Sequence, residues 1–155
     1  MSLKEYKEKR NFTKTREPQE SKSKKEREGF IYVIQRHQAS HLHFDLRLEE
    51  KGVLKSWAIP KSPPQEGGVK RLAVLTEDHP LGYEDFEGVI PEGQYGAGKV
   101  EIWDKGSYFP LESTSSKKII EIRGEKLKGR YCLIKLKTKD LEDKNWLFFM
   151  MKEKI

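Results

Sequence analysis

Three of the chain's four histidines, His37, His41 and His43, lie within seven residues. From His41 onward polar and apolar residues alternate, so His43, Asp45 and Arg47 share one face of a predicted strand. Side chains two positions apart on such a face lie about 6.5–7 Å apart, close enough for two of them to bind one ion. Two imidazoles and a carboxylate are typical ligands of Mn²⁺, Fe²⁺ or Zn²⁺. An arginine beside them suits a phosphate, which the planar guanidinium binds through two hydrogen bonds.

The same alternation also fits an ordinary half-buried strand. Leu42, Phe44, Leu46 and Leu48 would form its apolar face, and the polar face would simply be hydrated. Two imidazoles, a carboxylate and a guanidinium in succession favour the metal hypothesis. Both interpretations remain open at this level.

The fourth histidine, His79, begins the turn His-Pro-Leu-Gly-Tyr at residues 79–83. Loops on a β scaffold often carry catalytic groups, although many loop histidines are merely exposed. The acidic residues around this turn offer an alternative, a site for a hard cation: Glu77, Asp78, Glu84, Asp85 and Glu87.

The glycine-rich residues 93–99 have the G-x-x-x-x-G-K spacing of a phosphate-binding loop. That loop requires Ser or Thr next, followed by a helix, whereas Val100 begins an apparent strand. We therefore expect a loop between strands. Cys132 alternates with Ile134 and Leu136, which predicts a core residue and not a nucleophile.

The elements that must position these residues are strands. After Phe30 the apolar residues recur with a period of two, and Gly or Pro breaks most of the connections. The predicted strands are 30–36, 41–49, 53–59, 69–75, 86–90, 99–103, 119–123, 131–137 and 145–151. Short strands at this spacing predict an all-β barrel or sandwich, and no later segment has a helical period.

The first part of the chain differs from the rest. Residues 1–29 hold ten Lys or Arg and six Asp or Glu, four of the six excess positive charges in the 155-residue chain. This predicts a charged, partly ordered basic arm over 1–29 and one domain over 30–155. Residues 21–28 are nearly all charged, as in a solvated linker. Because the arm has few apolar residues, we expect it to contribute to the use of substrate more than to the stability of the barrel.

Phe12 is an isolated aromatic residue within the arm, with Arg10 and Glu17 on either side of it. We expect Phe12 to dock the arm on the barrel so that Arg10 reaches the active-site phosphate. The alternative is a disordered tail that attracts nucleic acid only non-specifically.

Composition excludes several classes of protein. A single cysteine allows neither an intramolecular disulfide nor a cysteine zinc cluster. The longest apolar run, residues 146–151, is too short to span a bilayer as a helix. No apolar stretch near Met1 resembles a signal peptide. We expect a cytoplasmic protein that does not contact membranes. The net charge of +6 is compatible with nucleic acid but does not establish it.

Several blocks of sequence occur in the order found in one known family. After His37 they are residues 43–47 (His-Phe-Asp-Leu-Arg), 57–61 (Trp-Ala-Ile-Pro-Lys), 79–83, 87–91 (Glu-Gly-Val-Ile-Pro) and 92–98 (Glu-Gly-Gln-Tyr-Gly-Ala-Gly). Together they resemble the 3′-phosphoesterase domain of bacterial ligase D and its free-standing archaeal relatives, across most of 30–112 and at residues 10–18.

The resemblance implies a compact β-barrel of mostly antiparallel strands and a manganese-favouring site, with Zn²⁺ or Co²⁺ as alternatives. It implies removal of 3′-terminal ribonucleosides and 3′-phosphates from DNA or RNA-terminated primer-template ends in break repair. The chain lacks the K-x-D-G motif of nucleotidyl transfer, so we expect ligase, polymerase and end-binding partners to be separate proteins.

The resemblance also assigns roles to residues by position. It implies metal ligands at His37, His43 and Asp45, and phosphate and transition-state contacts at Arg47, His79 and Tyr83. It implies that Gln35, Lys61 and Arg71 support the site, and that Arg10 and Glu17 are functional residues of the arm. Two positions depart from the family: Asn11 replaces the usual Asp, and His41 replaces a basic residue.

The expected chemistry is hydrolysis, in which one divalent ion activates water and Arg47 and His79 neutralise phosphate oxygens. A protonated His79 that donates to the leaving group is an open alternative. A non-haem iron oxygenase with His43, Asp45 and His79 as ligands is a second candidate, but it leaves His37 unexplained. A third is a non-catalytic nucleic-acid-binding barrel.

Overall fold

The computed structural model describes residues 3–18, 29–137 and 144–152. A short helix is followed by ten strands: α1 Lys4–Glu8, β1 Phe30–Gln38, β2 Leu42–Glu50, β3 Val53–Ile59, β4 Lys70–Leu75, β5 His79–Pro80, β6 Gly88–Ile90, β7 Gly98–Ser113, β8 Lys117–Arg123, β9 Lys128–Lys135 and β10 Asn145–Met150. None of the helices in these ranges has the length and apolar character needed to cross a membrane.

Eight of the strands close into a barrel. Their order is β1-β2-β3-β4-β10-β9-β8-β7, and β7 pairs with β1 to complete the circle. Every pairing between these strands is antiparallel, while β5 and β6 extend the sheet from β3 and β7. The predicted all-β barrel of antiparallel strands is confirmed.

The barrel interior contains the apolar face that the alternation of β2 predicted. Phe44, Leu46 and Leu48 are buried there with Trp57 and other large residues, whereas Leu42 at the strand end is 45% exposed. The polar face of β2 is not an exposed face, because Asp45 and Arg47 are also buried, on the outside of the barrel. The interpretation of β2 as an ordinary half-buried strand is therefore wrong.

Strand β7 is much longer than the predicted segment 99–103. Its inward position 104 holds a buried carboxylate instead of an apolar side chain, which interrupts the period-two pattern. Asp104 accepts hydrogen bonds from the Tyr32 hydroxyl at 2.7 Å and from the backbone N–H groups of residues 125, 126 and 127. Such a carboxylate replaces an apolar core residue because its hydrogen bonds compensate for burial.

Cys132 is only 4% exposed, as predicted for a core residue, and burial raises the pKa of its thiol. A raised pKa disfavours the thiolate that a nucleophile requires.

Residues 3–18 pack on the outside of the barrel. Tyr6 of α1 is fully buried in a second apolar cluster with Leu54, Leu81 and Tyr83, and its ring centroid lies 5.9 Å from that of Phe12. Phe12 is only partly buried, so Tyr6 is the principal anchor, and the arm supplies a buried aromatic residue that its composition did not indicate. The linker predicted over 21–28 lies outside the described residues.

Replacing Tyr6 with alanine is expected to lower the free energy of unfolding by about 3 kcal/mol, because truncating a buried aromatic residue leaves a cavity. Phe12→Ala should cost less, since that ring is partly exposed. Urea unfolding of both variants measures the difference. An equal or larger loss at Phe12 would show that Phe12 is the anchor.

Candidate active site

A cavity of about 290 Å³ lies on the outer face of β1, β2 and β3. The arm, the segment around β5 and the loop that precedes β7 surround it. It brings together residues from distant parts of the chain: Arg10, His37, Ala39, His43, Asp45, Arg47, Ala58, Thr76, Glu77, His79, Tyr83, Tyr95 and Gly96. Seven of the eleven residues expected at the site line it, together with others that were not expected there.

His37, His43 and Asp45 converge at one end of this cavity. His37 lies opposite His43 in the pairing of β1 with β2, and Asp45 follows two positions along β2. The Asp45 Oδ2 atom lies 3.3 Å from His43 Nε2 and 3.6 Å from His37 Nδ1. The three potential ligand atoms all lie within 4.8 Å of one another. Among the described residues, these side chains form the cluster that could hold a metal ion.

The second nitrogen of each imidazole is held by a backbone carbonyl. His37 Nε2 lies 2.6 Å from the Gly96 oxygen, and His43 Nδ1 lies 3.0 Å from the His41 oxygen. When these nitrogens carry the protons, the lone pairs of His37 Nδ1 and His43 Nε2 are directed towards Asp45. Metal-binding histidines are commonly oriented in this way, so the residues fit a divalent cation.

The electrostatics favour an ionised carboxylate at Asp45. Burial alone would raise its pKa, but the Arg47 guanidinium, together with the His37 and His43 rings in the protonation states in which they donate to it, holds the pKa well below its usual range. A hydrogen bond donated by its ring to the Asp45 carboxylate raises the pKa of His43. An anionic group between two imidazoles attracts either a proton or a metal ion.

Arg47 is held by neutral partners on two sides. Its Nε donates to Gln35 Oε1 at 2.6 Å and its Nη1 donates to Ser56 Oγ at 2.9 Å, while Nη2 lies 3.5 Å from Asp45. Gln35 in turn donates to the carbonyls of Tyr83 and Phe86 at 2.8 and 3.0 Å. The guanidinium is therefore fixed beside the candidate metal ligands, and Gln35 orients it from behind.

The arm places Arg10 in the cavity. Its Nε donates to Glu17 Oε2 at 2.9 Å, and its Nη1 donates to Glu77 Oε1 at 3.3 Å. Glu17 also accepts a hydrogen bond from the Tyr83 hydroxyl at 2.5 Å. Arg10 and Glu17, both expected at the site, form one buried ion pair that connects the arm to the barrel.

His79 is buried beside Arg10. Its Nδ1 lies 3.0 Å from the Glu77 carbonyl and its Nε2 lies 3.3 Å from Arg10 Nη2. Burial and the guanidinium groups of Arg47 and Arg10 hold the pKa of His79 well below its usual range. A neutral ring with its proton on Nδ1 fits both contacts, because Nδ1 then donates to the Glu77 carbonyl and Nε2 accepts from Arg10.

Four of the eleven residues expected at the site do not line the cavity: Glu17 and Gln35 contact the lining residues Arg10 and Arg47, while Lys61 and Arg71 lie elsewhere. Lys61 is exposed after β3, and Arg71 on β4 donates to the Ser62 carbonyl at 2.8 Å. Within a turn, Asn11 Oδ1 accepts two hydrogen bonds from Thr13, one from its backbone N–H at 3.1 Å and one from its Oγ1 hydroxyl at 2.7 Å. His41 is exposed and contributes its backbone carbonyl to the site.

The acidic residues around His79 have separate partners. Glu77 pairs with Arg10 and Lys9, Glu84 accepts from the Gly82 N–H, and Asp85 pairs with Lys105. They do not converge, so the hard-cation alternative is wrong for the described residues.

Glu77 and Tyr95 line the cavity but were not expected there, since Glu77 was named only for the hard-cation alternative. Glu77 is separated from Arg10 by 67 residues, so the sequence carries no sign of their ion pair. Tyr95 lies within the glycine-rich block 92–98, and its place in that block was the signal in the sequence that could have indicated a role at the site.

Comparison with known proteins places these observations in a family. Residues 35–135, more than half of the chain, match the family described as the DNA ligase D 3′-phosphoesterase domain. The chain is 47% identical over 158 residues to the multifunctional non-homologous end joining protein LigD of Pseudomonas aeruginosa, covering 98% of this chain and 18% of that protein.

Two mycobacterial relatives are similar. The LigD non-homologous end joining DNA repair protein of Mycobacterium tuberculosis is 45% identical over 137 residues, covering 86% of this chain and 18% of that protein. The LigD protein of Mycolicibacterium smegmatis is 44% identical over 159 residues, covering 96% and 20%. The chain thus spans no more than a fifth of the length of these relatives.

Proposed function

The chain belongs to the DNA ligase D 3′-phosphoesterase domain family, and from that premise we propose that it is a metal-dependent hydrolase that trims 3′ ends during DNA break repair. Its substrates are 3′-terminal ribonucleosides and 3′-phosphates on DNA or RNA-terminated primer strands. Its partners are primer-template ends, together with separate ligase, polymerase and end-binding proteins.

The observation that carries this proposal is the convergence of three metal-ligating atoms beside two buried arginines. His37, His43 and Asp45 suit Mn²⁺, and Zn²⁺ or Co²⁺ would accept the same donors. A 3′-phosphate is a dianion near neutral pH, so its hydrolysis requires cationic groups that are already in place. Arg47 and Arg10 line the same cavity as the ligands.

A bound Mn²⁺ would supply Lewis acidity that polarises a phosphate oxygen and activates water. The protein's own side chains hold and orient the remaining groups. Arg47, fixed by Gln35 and Ser56, neutralises charge on the phosphate as it develops in the transition state. Neutral His79 keeps Arg10 within reach of the same phosphate.

The oxygenase alternative requires His79 as a ligand in place of His37. Both nitrogens of His79 have other partners, the Glu77 carbonyl and Arg10. His37 Nδ1, by contrast, is directed towards Asp45. These contacts favour a metal centre on His37, His43 and Asp45.

The activity is tested with a labelled primer-template ending in a 3′-ribonucleotide or a 3′-phosphate, with Mn²⁺ and with chelator. We expect loss of the terminal nucleoside and release of phosphate with Mn²⁺ only. Iron-dependent oxygen consumption would support the oxygenase instead. Binding of the duplex without turnover in any divalent metal would support the non-catalytic barrel.

Replacing Arg47 with lysine is expected to lower kcat/KM by about tenfold to thirtyfold. Lysine keeps the charge but loses the planar fork that bonds Gln35 and Ser56 and faces a phosphate, and hydrogen bonds to charged groups contribute about 1.5–3 kcal/mol. The matched control is Arg123→Lys on β8, an exposed arginine outside the cavity. Activity of Arg47→Lys equal to that of the control would contradict the assigned role.

A further inference from the structure

Tyr95 lies in the loop between β6 and β7, at the rim of the cavity. Its surface is 48% exposed, whereas Tyr83, the other tyrosine lining the cavity, is 2% exposed and packs in the second apolar cluster. The ring of Tyr95 belongs to neither of the two apolar clusters. A large exposed aromatic residue at an active-site rim is therefore available to a ligand.

The position of Tyr95 is fixed relative to the candidate metal ligands. The next residue, Gly96, accepts the hydrogen bond from His37 Nε2 at 2.6 Å. Gly96 has a φ of +77°, a left-handed conformation that glycine adopts without strain, and this conformation directs its carbonyl towards His37. The aromatic ring is thus one residue away from a group that orients a metal ligand.

Two cations of the arm lie over the Tyr95 ring, so a base would stack on the part of the exposed ring that they leave open. Lys9 Nζ is 4.7 Å from the ring centroid and Arg10 Cζ is 5.4 Å from it. Lys9 Nζ also lies 3.4 Å from the Tyr95 hydroxyl and 3.4 Å from Glu77 Oε2. A flat aromatic surface next to positive charge is the combination that single-stranded nucleic acids bind, through a stacked base and its phosphate.

The rest of the cavity offers a base little to stack on. Its floor holds imidazole, carboxylate and guanidinium groups from His37, His43, Asp45, Arg47 and His79. These groups suit a phosphate and a metal ion. A nucleobase stacks on an accessible aromatic or guanidinium plane, and Tyr95 is the large aromatic residue of the cavity lining that is exposed.

We propose that Tyr95 is the stacking platform for the nucleobase of the 3′-terminal nucleotide, with Lys9 beside it to contact the neighbouring phosphate. This rests on the proposed function, because it assumes a nucleic-acid 3′ end in the cavity. Tyr95 then determines how the end is held, while the metal ligands and Arg47 act on the phosphate.

The test is binding measured by fluorescence anisotropy with chelator present, so that no hydrolysis occurs. The probes are two primer-templates with a 3′-phosphate, one with a normal terminal nucleotide and one whose terminal nucleotide is abasic. For the normal end, Tyr95→Ala should raise the Kd about tenfold, within the range for losing one base–aromatic stack. For the abasic end the change should be less than about twofold, because no stack exists to be lost.

Tyr95→Phe keeps the ring and should bind both probes as the unmodified protein does. Leu111→Ala is the matched control, since Leu111 is 53% exposed near the far end of β7. Equal weakening of both probes by Tyr95→Ala, or an equal loss with Tyr95→Phe, would overturn the stacking proposal. So would failure of the unmodified protein to prefer the normal end. Absence of Mn²⁺-dependent hydrolysis by the unmodified protein would instead overturn the proposed function.

Discussion

Replacing His37, His43 or Asp45 with alanine is expected to lower hydrolysis of a 3′-phosphate primer by about a thousandfold or more. Each change removes a ligand, and a bound metal contributes several kcal/mol of transition-state stabilisation. The barrel should remain folded, because all three side chains lie on its outer face and not in its interior. Steady-state turnover, manganese binding and circular dichroism of each variant measure these effects.

His41→Ala is the matched control for this experiment. His41 is exposed on the same strand region, and the site uses its backbone carbonyl, which alanine retains. We expect this variant to bind manganese and keep most of its activity. Equal losses at His41 and His43 would mean that the wrong imidazole has been assigned as a ligand.

Removing residues 1–20 is expected to lower turnover at saturating DNA by about a hundredfold at both low and high salt. The deletion takes away Arg10, whose buried guanidinium contacts Glu77 and His79 within the cavity. Losing buried, charged hydrogen bonds costs about 1.5–3 kcal/mol, and salt screens such contacts far less than exposed ones. The deletion also uncovers Leu54 and Tyr83, so the free energy of unfolding should fall as well.

A point variant separates catalysis from stability in the arm. Arg10→Gln leaves the Tyr6 anchor in place and should reproduce the loss of turnover. Lys14→Gln removes the same charge from an exposed position of the arm and should leave turnover unchanged. Full activity of the truncated protein at high salt would show that the arm is only an electrostatic tail.

The fold could be predicted from the sequence to the extent that burial follows a period of two. Apolar residues recur along β2 and β3, so their positions were predicted closely, although most of the intervening residues are buried as well. Strand β7 was predicted too short, because the buried carboxylate of Asp104 looks like a surface residue in the sequence. Tyr6 was missed for a related reason, since a five-residue helix among charges gives too short a pattern to indicate burial.

The site was predictable where its residues share a strand. The alternation alone placed His43, Asp45 and Arg47 on one face, but His37 joins them through the register between β1 and β2. The contacts of Arg10 with Glu77 and His79 connect residues 67 and 69 positions apart. Only the closed barrel with its docked arm brings such groups together, so their geometry could not be derived from local patterns.

The most direct test is phosphate release from a 3′-phosphate primer-template by metal-depleted protein, measured as Mn²⁺ is added back. We expect no release before addition, and a rate that rises with Mn²⁺ and saturates when one ion is bound per chain. The His43→Ala variant should show no such rise. Full release in the presence of chelator, or no release at any concentration of Mn²⁺, Zn²⁺ or Co²⁺, would contradict the account.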